Sequence, residues 1–189
     1  MTQTDQQKWD SRYRDTDRPP QAAQVLTDNL HLLPATGTVL DLACGLGGNA
    51  LVLAQHGLDV DAWDISPVAI DQLAMLARGL SLHPKTVDIQ ATSLSGRYYD
   101  VIVVSYFLDR SLAPAIIEAL RPGGLLFYQT FNQQQCGRGP SRSAWRLQDN
   151  ELLHLFAPLL VRYYREDGLC ADTGLGIADE ARLVAQKPL

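Results

Sequence analysis

An α/β fold on a mostly parallel β-sheet is the expectation for this chain of 189 residues. Three observations lead to it. Short apolar runs alternate with helix-patterned segments from Thr38 to Phe131, the signature of βαβ units. A glycine-rich turn around Gly45, Gly47 and Gly48 joins the first run to the first of those helices. After Asp149 the pattern changes to two strands joined by a glycine-containing loop with no clear helix, which favours antiparallel pairing. Five parallel strands plus an antiparallel C-terminal pair are therefore expected, with helices on both faces.

The elements follow in order. The first 18 residues are polar and end at Pro19-Pro20. Ala22, Val25, Leu26, Leu30 and Leu33 recur at helical spacing and predict a helix over Gln21–Leu33, stopped by Pro34 and Gly37. Thr38–Cys44 reads as a short buried strand interrupted by Asp41, and Gly47–His56 as a helix with Gly57 suited to its C′ position. Leu58–Asp64 is the second strand. Ser66-Pro67 opens the next helix, because serine caps free N–H groups and proline fits the first turn. That helix should run to about Arg78, near Gly79. Thr86–Ala91 is a third, weakly patterned strand and Asp100–Phe107 a strong fourth. A helix over Leu112–Leu120 should be terminated by Arg121–Gly124 (RPGG), before a fifth strand at Leu125–Phe131. The tail reads as a helix over Asp149–Phe156 and strands over Leu159–Arg165 and Ala181–Gln186, their connection carrying Gly168, Gly174 and Gly176.

Composition narrows the function classes. Hydrophobic residues make up 46% and charged residues 20%, as in ordinary globular domains, and the length suits one domain over residues 1–189, with an arm at 1–18 and a core at 19–189. No apolar run is long enough to span a bilayer, and the polar N-terminal segment lacks the apolar stretch of a secretory signal. The net charge of −5 argues against a general nucleic-acid surface. Cys44, Cys136 and Cys170 form no CxxC pair, which points to reduced thiols in the cytoplasm. His31, His56, His83 and His154 are scattered, so no metal site is expected.

The chemistry is carried by VLDLACGLGGNA, Val39–Ala50. Glycines between a strand and a helix let the backbone turn sharply and approach a ligand, and the helix start offers free N–H groups. Sixteen residues after Gly48 the second strand ends in Asp64, whose carboxylate can accept hydrogen bonds from two vicinal ribose hydroxyls. Asp61 competes for that role but lies inside the strand. Loop plus strand-end acid describes a nucleoside crevice. The same loop satisfies GxGxxA, so a nicotinamide-dependent oxidoreductase is the alternative. Against it, Asp41 would repel a pyrophosphate but suits a cationic ligand, and little chain remains for a substrate domain.

On these residues the chain resembles class I S-adenosylmethionine-dependent methyltransferases, most of all the small bacterial tellurite-resistance-type and thiopurine-type enzymes. The resemblance also rests on KWDSRYRD at Lys8–Asp15, DVDAWDISPVAI at Asp59–Ile70, YYDVIVVSYFLDR at Tyr99–Arg110, ALRPGGLLFYQTF at Ala119–Phe131, Gly139-Pro140 and the closing ARLVAQKP. It implies a Rossmann-like seven-stranded sheet in the order 3-2-1-4-5-7-6, S-adenosylmethionine as cofactor and a small-molecule methyl acceptor. Carried over residue by residue, Asp41 and the backbone of Ala43, Cys44, Gly45 and Gly47 would flank the methionine part of the cofactor, with Asn49 beside them. Asp64 would hold the ribose, Ile65 the adenine face, and Asp88 and Ile89 the adenine edge. Ser105 and Tyr106 fall where the family places cofactor and substrate contacts, and Trp9 and Tyr13 match an N-terminal lid. Many relatives have glycine where Ala43 stands. Tyr106, Arg110, Phe131, Asn132 and Arg138 are the acceptor-side candidates, because they follow the ends of the fourth and fifth strands. No residue stands out as a general base, which suits a soft acceptor such as a thiol or a metalloid product. A cofactor-binding protein without catalysis is the remaining alternative.

Overall fold

The computed structural model describes residues 3–16, 18–170 and 176–189. Gly174 of the expected C-terminal loop, and residues 1, 2 and 17 of the N-terminal arm, lie outside the described residues. Seven strands form one sheet in the order β3-β2-β1-β4-β5-β7-β6. They are β1 (Thr38–Leu42), β2 (Asp59–Asp64), β3 (Leu82–Thr86), β4 (Tyr99–Ser105), β5 (Leu120–Phe131), β6 (Leu160–Arg165) and β7 (Glu180–Gln186). β1 to β5 pair in parallel, and β7 runs antiparallel to both of its neighbours. The expected order and the antiparallel C-terminal strand are both present.

The helices are α1 (Gln3–Arg14), α2 (Gln24–Thr27), α3 (Gly48–Gln55), α4 (Pro67–Leu76), α5 (Ala113–Ala119) and α6 (Glu151–Leu155). Alternating side chains split the core into two layers. Leu40, Leu42, Ile102, Val104 and Leu126 pack with Ile116 of α5 and Leu152 of α6. Val39, Val101, Val103 and Phe127 pack on the other face with Leu26 of α2, Leu53 of α3 and Leu73 of α4. Val39–Leu42 of β1 and Val101–Val104 of β4 are fully buried between these layers, as a central parallel strand requires. Among the described residues no helix is long and apolar enough to cross a membrane.

Three expectations are corrected. The helix over Gln21–Leu33 is broken into α2 and a 3₁₀ turn at Leu30–Leu32. Asn29 causes the break: its side-chain amide donates to the Val25 carbonyl at 2.9 Å, taking the place of the next backbone bond. The third strand lies at Leu82–Thr86 instead of Thr86–Ala91. It is the sheet edge, so it can hold Pro84 and expose His83 and Lys85, which hides its pattern. Arg121–Gly124 does not simply end α5; it is the opening of β5, with an irregular register opposite Tyr99 and Val101. Ser66 caps α4 as expected, accepting from the Ala69 N–H with Pro67 in the first turn.

Candidate functional site

The glycine turn and the end of β2 meet above the parallel strands. β1 stops at Leu42, two residues short of the expected end, and the Cys44 N–H donates to the Trp63 carbonyl at 2.9 Å. This stitches the turn to β2 beside Asp64. Asp64 is buried; its Oδ2 accepts the Gly45 N–H at 2.8 Å and its Oδ1 the Ser66 N–H at 2.9 Å. Each oxygen keeps lone-pair capacity for one further donor. Burial raises its pKa, opposed by those N–H bonds.

Asp41 lies wholly inside the protein beneath α3. Oδ2 accepts the Ala50 N–H at 3.0 Å, while Oδ1 has no hydrogen-bond partner among the described residues. Burial pushes its carboxyl up to about 7, with the Asn49 amide and the Ala50 N–H opposing the shift. A buried carboxylate oxygen without a donor is costly, and a ligand bringing a cationic N–H would supply one. Asn49 ties three elements together: its Oδ1 accepts the Ala23 N–H at 2.8 Å and its Nδ2 donates to Ser105 Oγ at 2.9 Å.

The turn itself is tight. Gly47 caps α3, and a Cβ on Gly48 would lie 2.2 Å from the Gln21 carbonyl oxygen, so the chain before α2 can pack there only against glycine. At Gly45, φ is +54° and a Cβ would meet the Tyr13 hydroxyl at 2.8 Å. Tyr13 therefore lies over the loop. Burial raises its phenol pKa, with Asp64 and Cys44 adding to the effect. Trp9 stacks on Tyr13 with centroids 5.7 Å apart. α1 is anchored to α4 by Ser66 Oγ donating to Asp10 and by Gln72 Nε2 donating to the Tyr13 carbonyl at 3.4 Å. Burial also raises the Cys44 thiol pKa well above its ordinary value, which suits a packing residue and not a nucleophile.

Ile65 and Ile89 are buried, Ile89 in the core layer with Trp63 and Leu94. Asp88 and Ile89 follow β3 instead of ending it. They stay near Asp64 because the Val87 N–H donates to the Asp64 carbonyl at 2.8 Å.

Ala43 and Tyr106 sit just beyond neighbouring strand ends and both adopt left-handed backbone, with φ of +58° and +55°. For a residue as bulky as tyrosine this is a strained conformation, of the kind that clusters at functional sites. The register pairs Leu42 with Val104, so the two residues leave the sheet side by side. Tyr106 packs against Phe131 at a tilt of 38°, centroids 5.1 Å apart, and Arg138 lies 5.8 Å over the Phe131 ring. Arg138 is held by Asp179, with both contacts at 2.7 Å.

Tyr106, Phe131 and Arg138 are thus brought together. Arg110 and Asn132 instead hold loops. Arg110 pairs with Glu151 and donates to the carbonyls of Ala144 and Arg146. Asn132 is buried and spans the Ala178 carbonyl and the Gln134 N–H. Sequence reasoning missed three residues here. Arg146 is fully buried and donates to the carbonyls of Asn132, Gln134, Arg138 and Pro140, shaping the loop after β5. Gln129 and Glu180 lie behind Tyr106. The one signal for Glu180 was an acid opening the apolar strand ARLVAQ.

Relatives were found by sequence and by structure. Hemagglutinin 1 of Eikenella corrodens is 43% identical over 93 residues, 45% of this chain and 31% of that protein. The probable S-adenosyl-L-methionine-dependent methyltransferase TehB of Haemophilus influenzae is 36% identical over 87 residues, 44% of this chain and 30% of that protein. The crystal structure of TehB from Haemophilus influenzae superposes with a TM-score of 0.71 at 23% identity, covering 96% of this chain and 66% of the other, and so shares the fold. The chain spans 30% to 48% of the length of the curated relatives it matches. Residues 14–171 match the family model described as a methyltransferase domain, and the chain belongs to that family.

Proposed function

We propose that this chain binds S-adenosylmethionine at the glycine turn and methylates a small-molecule acceptor. The observation that carries the reading is the pair of buried carboxylates flanking one turn, Asp64 with both oxygens half-engaged and Asp41 with one oxygen unpartnered. Asp64 holds the two ribose hydroxyls. Asp41 receives the ammonium of the methionine part, with the backbone from Ala43 to Gly47 and Asn49 shaping that end. Ile65, Asp88 and Ile89 enclose the adenine, and Trp9 and Tyr13 close over the turn from α1. When bound, the cofactor supplies the electrophilic methyl group. Ser105 and Tyr106 border the space beside it, and Phe131 and Arg138 form the acceptor side. Much of the acceleration comes from alignment and exclusion of water.

The three free cysteines suit a cytoplasmic setting. The test is methyl transfer from labelled S-adenosylmethionine to thiol, metalloid, amine and phenol acceptors. Acceptor-dependent formation of S-adenosylhomocysteine is expected. Tight binding of S-adenosylhomocysteine with no turnover across the panel would reduce the chain to a binding protein.

A further inference from the structure

We infer that Tyr106 and Glu180 form a proton relay on the acceptor side, and that the acceptor is a protic compound methylated on an O–H group. The inference rests on the function proposed above and deepens it.

The geometry fixes the direction of every proton in the relay. The Val25 N–H can only donate, and it donates to Gln129 at 2.8 Å, so the side-chain oxygen of Gln129 faces Val25. The Gln129 amide nitrogen then faces the other way and donates to the Tyr106 hydroxyl at 2.8 Å and to Glu180 Oε2 at 2.8 Å. The Tyr106 oxygen accepts from Gln129, so its own hydrogen points to Glu180 Oε1, 3.1 Å away. One lone pair of the Tyr106 oxygen remains free. Tyr106 is 44% exposed while Glu180 is 1% exposed, so of the two it is the tyrosine that reaches the surface. Burial and the Glu180 charge push the phenol up to about 12, so it carries its proton at neutral pH.

Arg138 lies 2.9 Å from Glu180 Oε1 and Arg182 lies 3.5 Å from Oε2, so the carboxylate is paired with two guanidinium groups. A carboxylate suffices as the base. An oxygen that gains a methyl group while keeping its hydrogen is an oxonium, far more acidic than a carboxylic acid. As the acceptor oxygen bonds to the methyl carbon, the carbon–sulfur bond breaks and its electron pair stays on sulfur. The acceptor's proton passes to the Tyr106 oxygen, and the Tyr106 proton passes to Glu180 Oε1. One positive charge on sulfur and one negative charge on Glu180 disappear together, leaving neutral products. A methylated amine would hold its proton against such a base, which is why the site favours O–H.

The test compares Tyr106→Phe and Glu180→Gln with the unaltered protein on two acceptors. One is a phenol; the other is 2-nitro-5-thiobenzoate, whose thiol is already ionised at neutral pH. Both variants should lower the ratio of phenol to thiolate turnover about 100-fold, the scale of general-base catalysis. Tyr106→Phe leaves the Glu180–Arg138 pair in place, so it tests the relay even where Glu180→Gln fails to fold. A second readout needs no turnover: 4-nitrophenol at pH 6, titrated by absorbance, should bind about 10-fold more weakly to Tyr106→Phe, the loss of one hydrogen bond. A ratio unchanged in both variants would overturn the relay, as would a protein that methylates the thiolate but no phenol. Failure to bind S-adenosylhomocysteine would instead overturn the proposed function itself.

Discussion

Asp41 sets the electrostatic character of the site. Its carboxyl titrates near 7 because burial disfavours the charge, and Asp64 adds a like charge nearby. An acid whose folded-state pKa exceeds its unfolded value holds more protons folded than unfolded between the two. Stability should therefore fall as pH rises from about 4 to about 7, and Asp41→Asn should flatten that slope. A cationic ligand reverses the preference, so affinity for S-adenosylhomocysteine should rise over the same window. Thermal unfolding of the two proteins across pH 4–8 checks the first statement; parallel curves would remove Asp41 as the cause. At this scale the sequence was most informative where residues are close in the chain. Asp41, Gly45 and Asp64 belong to one βαβ unit, so their spacing alone indicated a shared crevice. Glu180 and Tyr106 are 74 positions apart and meet only through the register that sets Phe131 opposite Glu180 and Ser105 opposite Gln129.

Among the elements, α4 does two jobs through one hydroxyl. Ser66 Oγ accepts the Ala69 N–H to cap α4 and donates to Asp10 to hold α1 over the glycine turn. Ser66→Ala should cost about 1 kcal/mol of stability. It should also speed amide hydrogen exchange along α1, while exchange in β1 and β4 follows the global loss only. Mass-resolved exchange distinguishes the two effects; unchanged exchange in α1 would mean that the Asp10 bond does not hold the helix. The cap was legible as Ser-Pro, but the bond to α1 was not, because a polar segment gives no sign of what it packs on. Strands were legible in proportion to their burial. β4 is a continuous apolar run, whereas β3 is an edge strand whose proline and exposed charges hide it until its neighbour Val60–Asp64 is seen beside it.

For the whole molecule, the sheet order puts the glycine turn, the end of β4 and the start of β7 on one edge. β1 and β4 are adjacent and central, and β7 turns back antiparallel so that Glu180 arrives at the edge where the parallel strands finish. That reversal brings the Glu180 carboxylate to Tyr106, on the same edge as the glycine turn. The parallel strands and the final antiparallel pair were legible from alternation alone; the place of β7 between β5 and β6 came from the family resemblance. The central claim is that the crevice beside Asp41 and Asp64 takes S-adenosylmethionine. It is tested most directly by calorimetric titration with S-adenosylhomocysteine and, separately, with NAD. Saturable one-to-one binding of S-adenosylhomocysteine is expected, weakened at least about 10-fold by Asp64→Ala through lost charge-assisted hydrogen bonds, with no comparable binding of NAD. Tight NAD binding without S-adenosylhomocysteine binding, or an Asp64→Ala variant of unchanged affinity, would contradict it.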